Sequence, residues 1–127
     1  MVMEPKLPPN SVESEEALLG SLLLDGEAIL KIPFLAPEDF CDDRHNAIFA
    51  TCLKLREQGV GINQVTVAHA LGDRLAAIGG ASYLLSLLSA VPTPLHVAHF
   101  AKIVKNCASA RRLIAAGEEI TRLGYEG

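Results

Sequence analysis

The stretch from Thr93 to Leu123 does most to constrain how this 127-residue chain can fold. Thr93 followed by Pro94 is a strong helix start: a capping residue, then a proline at the first helical position, where a missing N–H costs nothing. No proline follows Pro94. A helix from Pro94 to about Leu123 would span some 30 residues and about 45 Å, which is long for a domain this size. Along it Phe100, Cys107 and Ile114 recur every seven residues, with Ile103, Ala110 and Gly117 between them, and Leu113 and Ile120 widen the stripe. This is nearly a heptad seam, with small residues that let a second helix come close. A glycine inside a helix costs about 1 kcal/mol relative to alanine, and close packing would explain Gly117. The pattern predicts self-association through Phe100, Ile103, Cys107, Ala110, Ile114 and Gly117. The competing reading folds the stripe back on the rest of the chain, or ends the helix at Gly117.

The remaining sequence is also helical in character, and strand-like alternation is hard to find. Residues 1–9 hold three prolines and read as an extended arm. Asn10 with Glu13 fits a capping box for a first helix whose apolar stripe is Val12, Leu18, Leu19, Leu22 and Leu23. Asp25-Gly26 ends it. A short helix over 27–32 stops at Pro33, and a turn follows Pro37 with Phe40 as anchor. Asp42 or Asp43 caps a helix running to Gln58, with Ile48, Phe49, Cys52 and Leu55 inward and Gly59 past its end. Asn63 caps another that ends near Leu71-Gly72. A turn over 73–78 precedes Gly79-Gly80, and a helix carrying Tyr83, Leu84, Leu87 and Leu88 runs to Ala90 before Val91-Pro92 breaks the chain. The expectation is an all-α fold: an arm at 1–9, a compact head of short helices at 10–91, and a long C-terminal helix at 92–127.

Bulk properties narrow the function. Half of the residues are apolar and a fifth charged, a globular composition. The start lacks the features of a signal peptide, no apolar run approaches the roughly 20 residues of a membrane span, and three unpaired cysteines (Cys41, Cys52, Cys107) favour reduced thiols. Together these predict a cytoplasmic protein. The net charge of −4 divides into −6 over residues 1–60 (5 basic, 11 acidic) and +2 over 61–127 (6 basic, 4 acidic). An acidic chain is a poor general binder of nucleic acid, which needs a dense basic face.

Chemical motifs are scarce. Gly79-Gly80 has no lysine before Lys102, so the pair is not a Walker loop, and no good strand precedes it for a dinucleotide site. The glycines read as punctuation. His96 and His99 lack further clustered ligands for zinc. Glu15-Glu16, Asp42-Asp43 and Glu118-Glu119 are adjacent pairs pointing to different helix faces, placed near helix starts or on wet surfaces. No catalytic, cofactor or metal residue is expected.

Four segments in order carry a family resemblance. "LPPNSVESEEALLGSLLLD", "HNAIFATCLKLREQGVGINQVTVAHAL", "IGGASYLLSLLSAVPT" and "HFAKIVKNCASARRLIAAGEEI" resemble the N-terminal region of the bacterial replicative DNA helicases, the DnaB family, across residues 6–125. "HALGDRLAAIGG" is shorter than the family's usual segment, and His99-Phe100 stands where aromatic pairs are common.

The resemblance implies a domain that is not the motor. Its family packs as dimers through a helical hairpin, three dimers forming a collar on a hexameric ring. The long helix would be the first arm of that hairpin. The collar bounds the channel for single-stranded DNA and recruits primase, with a helicase loader as a further partner. ATP and magnesium would belong to a separate motor domain absent from these residues. By resemblance, Tyr83, Ile114 and Ile120 are the primase contacts; by pattern alone each reads equally well as core. The expected function is assembly and partner docking, and the alternative is a free-standing helical adaptor.

Overall fold

The computed structural model describes residues 8–90 and 96–127, all helix, turn or loop among those residues. Helix α1 (Val12–Leu24) runs through the centre of the head. After it come a 3-10 turn over Gly26–Lys31, another over Pro37–Asp39, and helix α2 (Asp43–Glu57). Helix α3 (Gln64–Leu71), two short 3-10 turns and helix α4 (Gly80–Ser89) complete the head. Helix α5 (Val97–Glu126) has 30 residues. The all-α head with a long last helix is as expected. The Thr93-Pro94 start, the Val91-Pro92 break and residues 1–7 of the arm lie outside the described residues.

The core is built on α1. Leu18, Leu19, Leu22 and Leu23 are buried, and the helix packs against α2, α4 and α5. Each fully buried leucine contributes on the order of 2 kcal/mol. Ile48, Phe49, Cys52 and Leu55 of α2 face them, and Phe40 lies with its ring centroid 5.0 Å from that of Phe49. Burial pushes the Cys52 thiol up to about 12, which makes it an inert core residue.

Most caps follow the sequence. Asp42 accepts from the Arg44 N–H, and Asn63 from the N–H groups of Val65 and Thr66. The first cap differs. Ser11, not Asn10, accepts from the Ser14 N–H, while the Asn10 amide turns back to donate to the Pro8 carbonyl. With the start moved, Val12 falls on the exposed side.

Gly79 and Gly80 both have positive φ, 108° and 75°. Their N–H groups donate to the carbonyls of Ala76 and Leu75, so neither is free to cradle an anion. They are punctuation between a 3-10 turn and α4.

Candidate partner-docking site

Helix α5 has two halves with different surroundings. In the first, Val97, Ala101, Val104 and Ala108 are buried, at the spacing that keeps them on one line down the helix. They lie on the side that packs against α1. From Arg112 to the chain's end every residue is exposed. The helix therefore projects about 22 Å beyond its last contacts with the head.

The projecting half is amphipathic, but its apolar side has moved round. Leu113, Ala116, Gly117, Ile120, Leu123 and Gly124 recur at three- and four-residue steps. At about 100° per residue their stripe lies about 140° away from the line through Val97 and Ala108. Leu113 is 75 % exposed, Ile120 70 % and Leu123 53 %. The side that faced the head becomes polar instead: Arg122 pairs with Glu119 at 2.5 Å and with Glu126 at 2.6 Å. Such exposed pairs add only tenths of a kcal/mol to the helix. Among the described residues nothing covers the apolar stripe opposite them.

The seam expected from the sequence falls between these two stripes. Phe100, Ile103, Cys107 and Ala110 are half-buried along one flank, Ile114 is 46 % exposed, and Gly117 is open. These six centre about 110° from the buried line, in the opposite sense from the projecting stripe. Gly117 stands where seam and stripe meet. Sequence reasoning missed Ala116, Leu123 and Gly124, although their helical spacing to Ile120 was available.

Where α5 leaves the head, three cations close on one loop. Asp39 is fully buried, and its carboxylate accepts from the Ala36 N–H at 2.8 Å, Lys105 Nζ at 3.2 Å and Arg112 Nη2 at 2.5 Å. Arg111 donates to the carbonyls of Pro9 and Asp39, both at 2.8 Å. Burial raises the pKa of the Asp39 carboxyl, but the Ala36 N–H, Arg112 and Lys105 outweigh it and hold the pKa below its ordinary value.

A second polar cluster lies inside the head. Glu15, expected near a helix start or on a wet surface, stands in the first turn of α1 yet is only 1 % exposed. Its Oε1 is 2.8 Å from His45 Nδ1, and its Oε2 accepts from the Cys41 N–H at 2.8 Å. His45 Nε2 is 2.5 Å from the Tyr83 hydroxyl, and the Arg44 guanidinium lies over the Tyr83 ring at 4.4 Å. A carboxylate, an imidazole and a hydroxyl in line have the connectivity of a catalytic triad. Here the imidazole is sealed in the core, and burial pushes the Tyr83 phenol up, away from the ionised form a nucleophile needs. The cluster is a strut joining α1, α2 and α4.

The three expected primase contacts do not form one patch. Tyr83 is half-buried in α4 with its hydroxyl turned inward, while Ile114 and Ile120 lie on different sides of α5. Among the described residues no three histidine, cysteine or acidic side chains converge as metal ligands. No helix there is long and apolar enough to cross a membrane.

Residues 7–106 match the family model described as "DnaB-like helicase N terminal domain". The chain belongs to the DnaB-like helicase N-terminal domain family. Over 123 residues it is 39 % identical to the replicative DNA helicase DnaB of Geobacillus stearothermophilus, covering 94 % of this chain and 27 % of that one. The corresponding helicase of Mycobacterium leprae is 37 % identical over 123 residues, covering 94 % of this chain and 20 % of that one. Among solved structures, the N-terminal domain of DnaB helicase from Mycobacterium tuberculosis superposes with a TM-score of 0.92 at 38 % identity. That match covers 95 % of this chain and 89 % of the other. A DnaB-like replicative helicase described with its interactions with primase matches at a TM-score of 0.83 and 26 % identity, over 92 % of this chain and 28 % of that one. This DnaB-like domain thus spans about a quarter of the Geobacillus relative.

Proposed function

We propose that this DnaB-like domain is a non-catalytic assembly and partner-docking module of a replicative DNA helicase. The uncovered apolar stripe on the projecting half of α5 carries the reading. A helix that sets Leu113, Ile120 and Leu123 in water on one side, with ion pairs on the other, is built to be covered by another helix. The covering helix belongs to a dimer of this domain, made through a hairpin whose first arm is α5, and three dimers form the hexamer's collar. Primase docks on the assembled collar; the likeness to a helicase described with primase supports that role. ATP and magnesium act in the motor domain of the parent helicase, single-stranded DNA is met through the assembled ring, and a loader is a further partner. The setting is the cytoplasm.

The test is solution mass by light scattering across a concentration series, for the unsubstituted chain and for Ile114→Asp and Ile120→Asp. A concentration-dependent dimer that Ile120→Asp abolishes supports assembly through the projecting stripe. Loss with Ile114→Asp alone moves the contact to the flank shared with Phe100 and Cys107. A dimer untouched by either substitution overturns assembly through α5.

A further inference from the structure

A head that presents a helix to a partner needs a fixed angle, and the buried apolar contact beneath α5 stops at Ala108, before the helix leaves the head. Of its four buried residues, Ala101 and Ala108 end in a single methyl group. Past Ala108, among the described residues, no buried apolar side chain of α5 holds it, so its direction beyond the head rests on the contacts at that edge. A tilt of about 10° near Ala101 would carry Glu126, roughly 37 Å further along, through about 6 Å.

We infer that Asp39 is a positioning residue that locks the direction in which α5 leaves the head. Lys105 and Arg112 are seven residues apart, two turns on the same flank, and both reach its carboxylate. Arg111 grips the same loop from the other flank, through the Asp39 carbonyl, and holds the Pro9 carbonyl with its second nitrogen. One bond would act as a swivel. Contacts from both flanks over two turns resist tilt and axial rotation together.

The anchor itself is rigid. The Asn46 amide donates to the Pro37 carbonyl at 2.8 Å, the Asp39 carboxylate holds the Ala36 N–H, and Phe40 packs on Phe49. The loop is thereby tied to α2. Because Asp39 is wholly buried while Lys105 and Arg112 remain half in solvent, the carboxylate cannot turn to water when a cation leaves. The lock therefore has one stable arrangement, with all three cations in place.

The test is the set of backbone N–H residual dipolar couplings of the whole chain. In the unsubstituted protein, residues 112–126 and the head fit one alignment tensor. Asp39→Asn keeps an acceptor for the Ala36 N–H but loses the charge. It is expected to reduce the couplings of residues 112–126 so that they no longer fit the head's tensor, while the head's own couplings are unchanged. If Asp39→Asn unfolds the domain, the double variant Lys105→Gln/Arg112→Gln decides, since both side chains are half exposed. Arg122→Gln, which breaks pairs only within the projecting half, should leave one tensor. One common tensor in the folded Asp39→Asn or the double variant overturns the inference, whatever covers the stripe.

Discussion

His45 holds the Glu15 carboxylate across a 2.8 Å contact from which water is excluded, joining α2 to α1 at the centre of the head. The same carboxylate accepts from the Cys41 and Asp42 N–H groups, so it serves as the hub for the loop entering α2. Glu15→Ala leaves a buried imidazole and two N–H groups without their acceptor. The expected cost is about 2–3 kcal/mol, within the range for leaving buried polar groups without a hydrogen-bond partner. Urea unfolding followed by circular dichroism checks it, and a loss under 1 kcal/mol would mean that water enters the cluster.

Tyr83→Phe deletes the hydroxyl at the far end of the same chain of contacts. The ring keeps its place under Arg44, but His45 Nε2 loses its partner. A loss of about 1–2 kcal/mol is expected from an unsatisfied buried polar atom. The consequence for partner binding is practical. A Tyr83 variant that binds primase weakly has two explanations, a lost contact or a loosened head, and the unfolding curve separates them. A phenylalanine variant as stable as the parent would free Tyr83 for a direct docking role.

These clusters mark the limit of what the sequence made legible. Helices could be read because leucines at helical spacing, asparagine and aspartate caps, and glycines after helix ends act locally. Ile48, Phe49, Cys52 and Leu55 face the core as their spacing predicts. Glu15 could not be read as buried, because its partner His45 is thirty residues away. Its burial follows from where α2 crosses α1. Asp39 is similar, since its cations come from α5. On α5 a continuous apolar stripe suggested one seam. The structure adds two further apolar sides, a line that the head covers as far as Ala108 and an exposed stripe beyond Arg112, with the expected seam along the flank between them.

Asp42 should give the domain an acid-sensitive component. The Arg44 guanidinium above all, together with the Arg44 N–H, holds the carboxyl at about 2 against an ordinary 3.8. Its folded pKa is depressed, so its stabilisation is full above the ordinary value and is lost as pH falls from about 4 towards 2. Arg44 is 43 % exposed, and solvent screening reduces the contribution to the order of 1–2 kcal/mol. Asp42→Asn should cost that much at neutral pH while retaining the cap. The gap between variant and parent should narrow as the pH of the urea titration is lowered; a gap constant with pH would assign the effect to capping alone.

Gly26→Ala tests the packing of the turn after α1. A methyl group there would stand 2.8 Å from the Ile62 carbonyl oxygen and 2.9 Å from the Ile62 Cβ. The first of these is backbone and cannot swing aside. Overpacking of this kind costs about 1–3 kcal/mol, read as a lower thermal midpoint with unchanged helix content. A midpoint equal to the parent's would show that the loop over 59–62 yields.

Gly117→Ala separates the single chain from its assembly. Among the described residues outside the helix's own backbone, nothing lies within 4 Å of the methyl group it would add, so within one chain the helix's own preference acts. Alanine should then stabilise the projecting half by up to about 1 kcal/mol. If a second helix packs closely over Gly117, the same methyl group stands between the two backbones and association weakens. The expected result is higher helicity at low concentration and a larger dimer dissociation constant by sedimentation equilibrium. Tighter association would instead mean that the partner helix meets α5 elsewhere on the stripe, at Ile120 and Leu123, where the added helical order helps without obstruction. Gly117→Leu sharpens the contrast, because a side chain of that size is harmless in open solvent and incompatible with close helix packing.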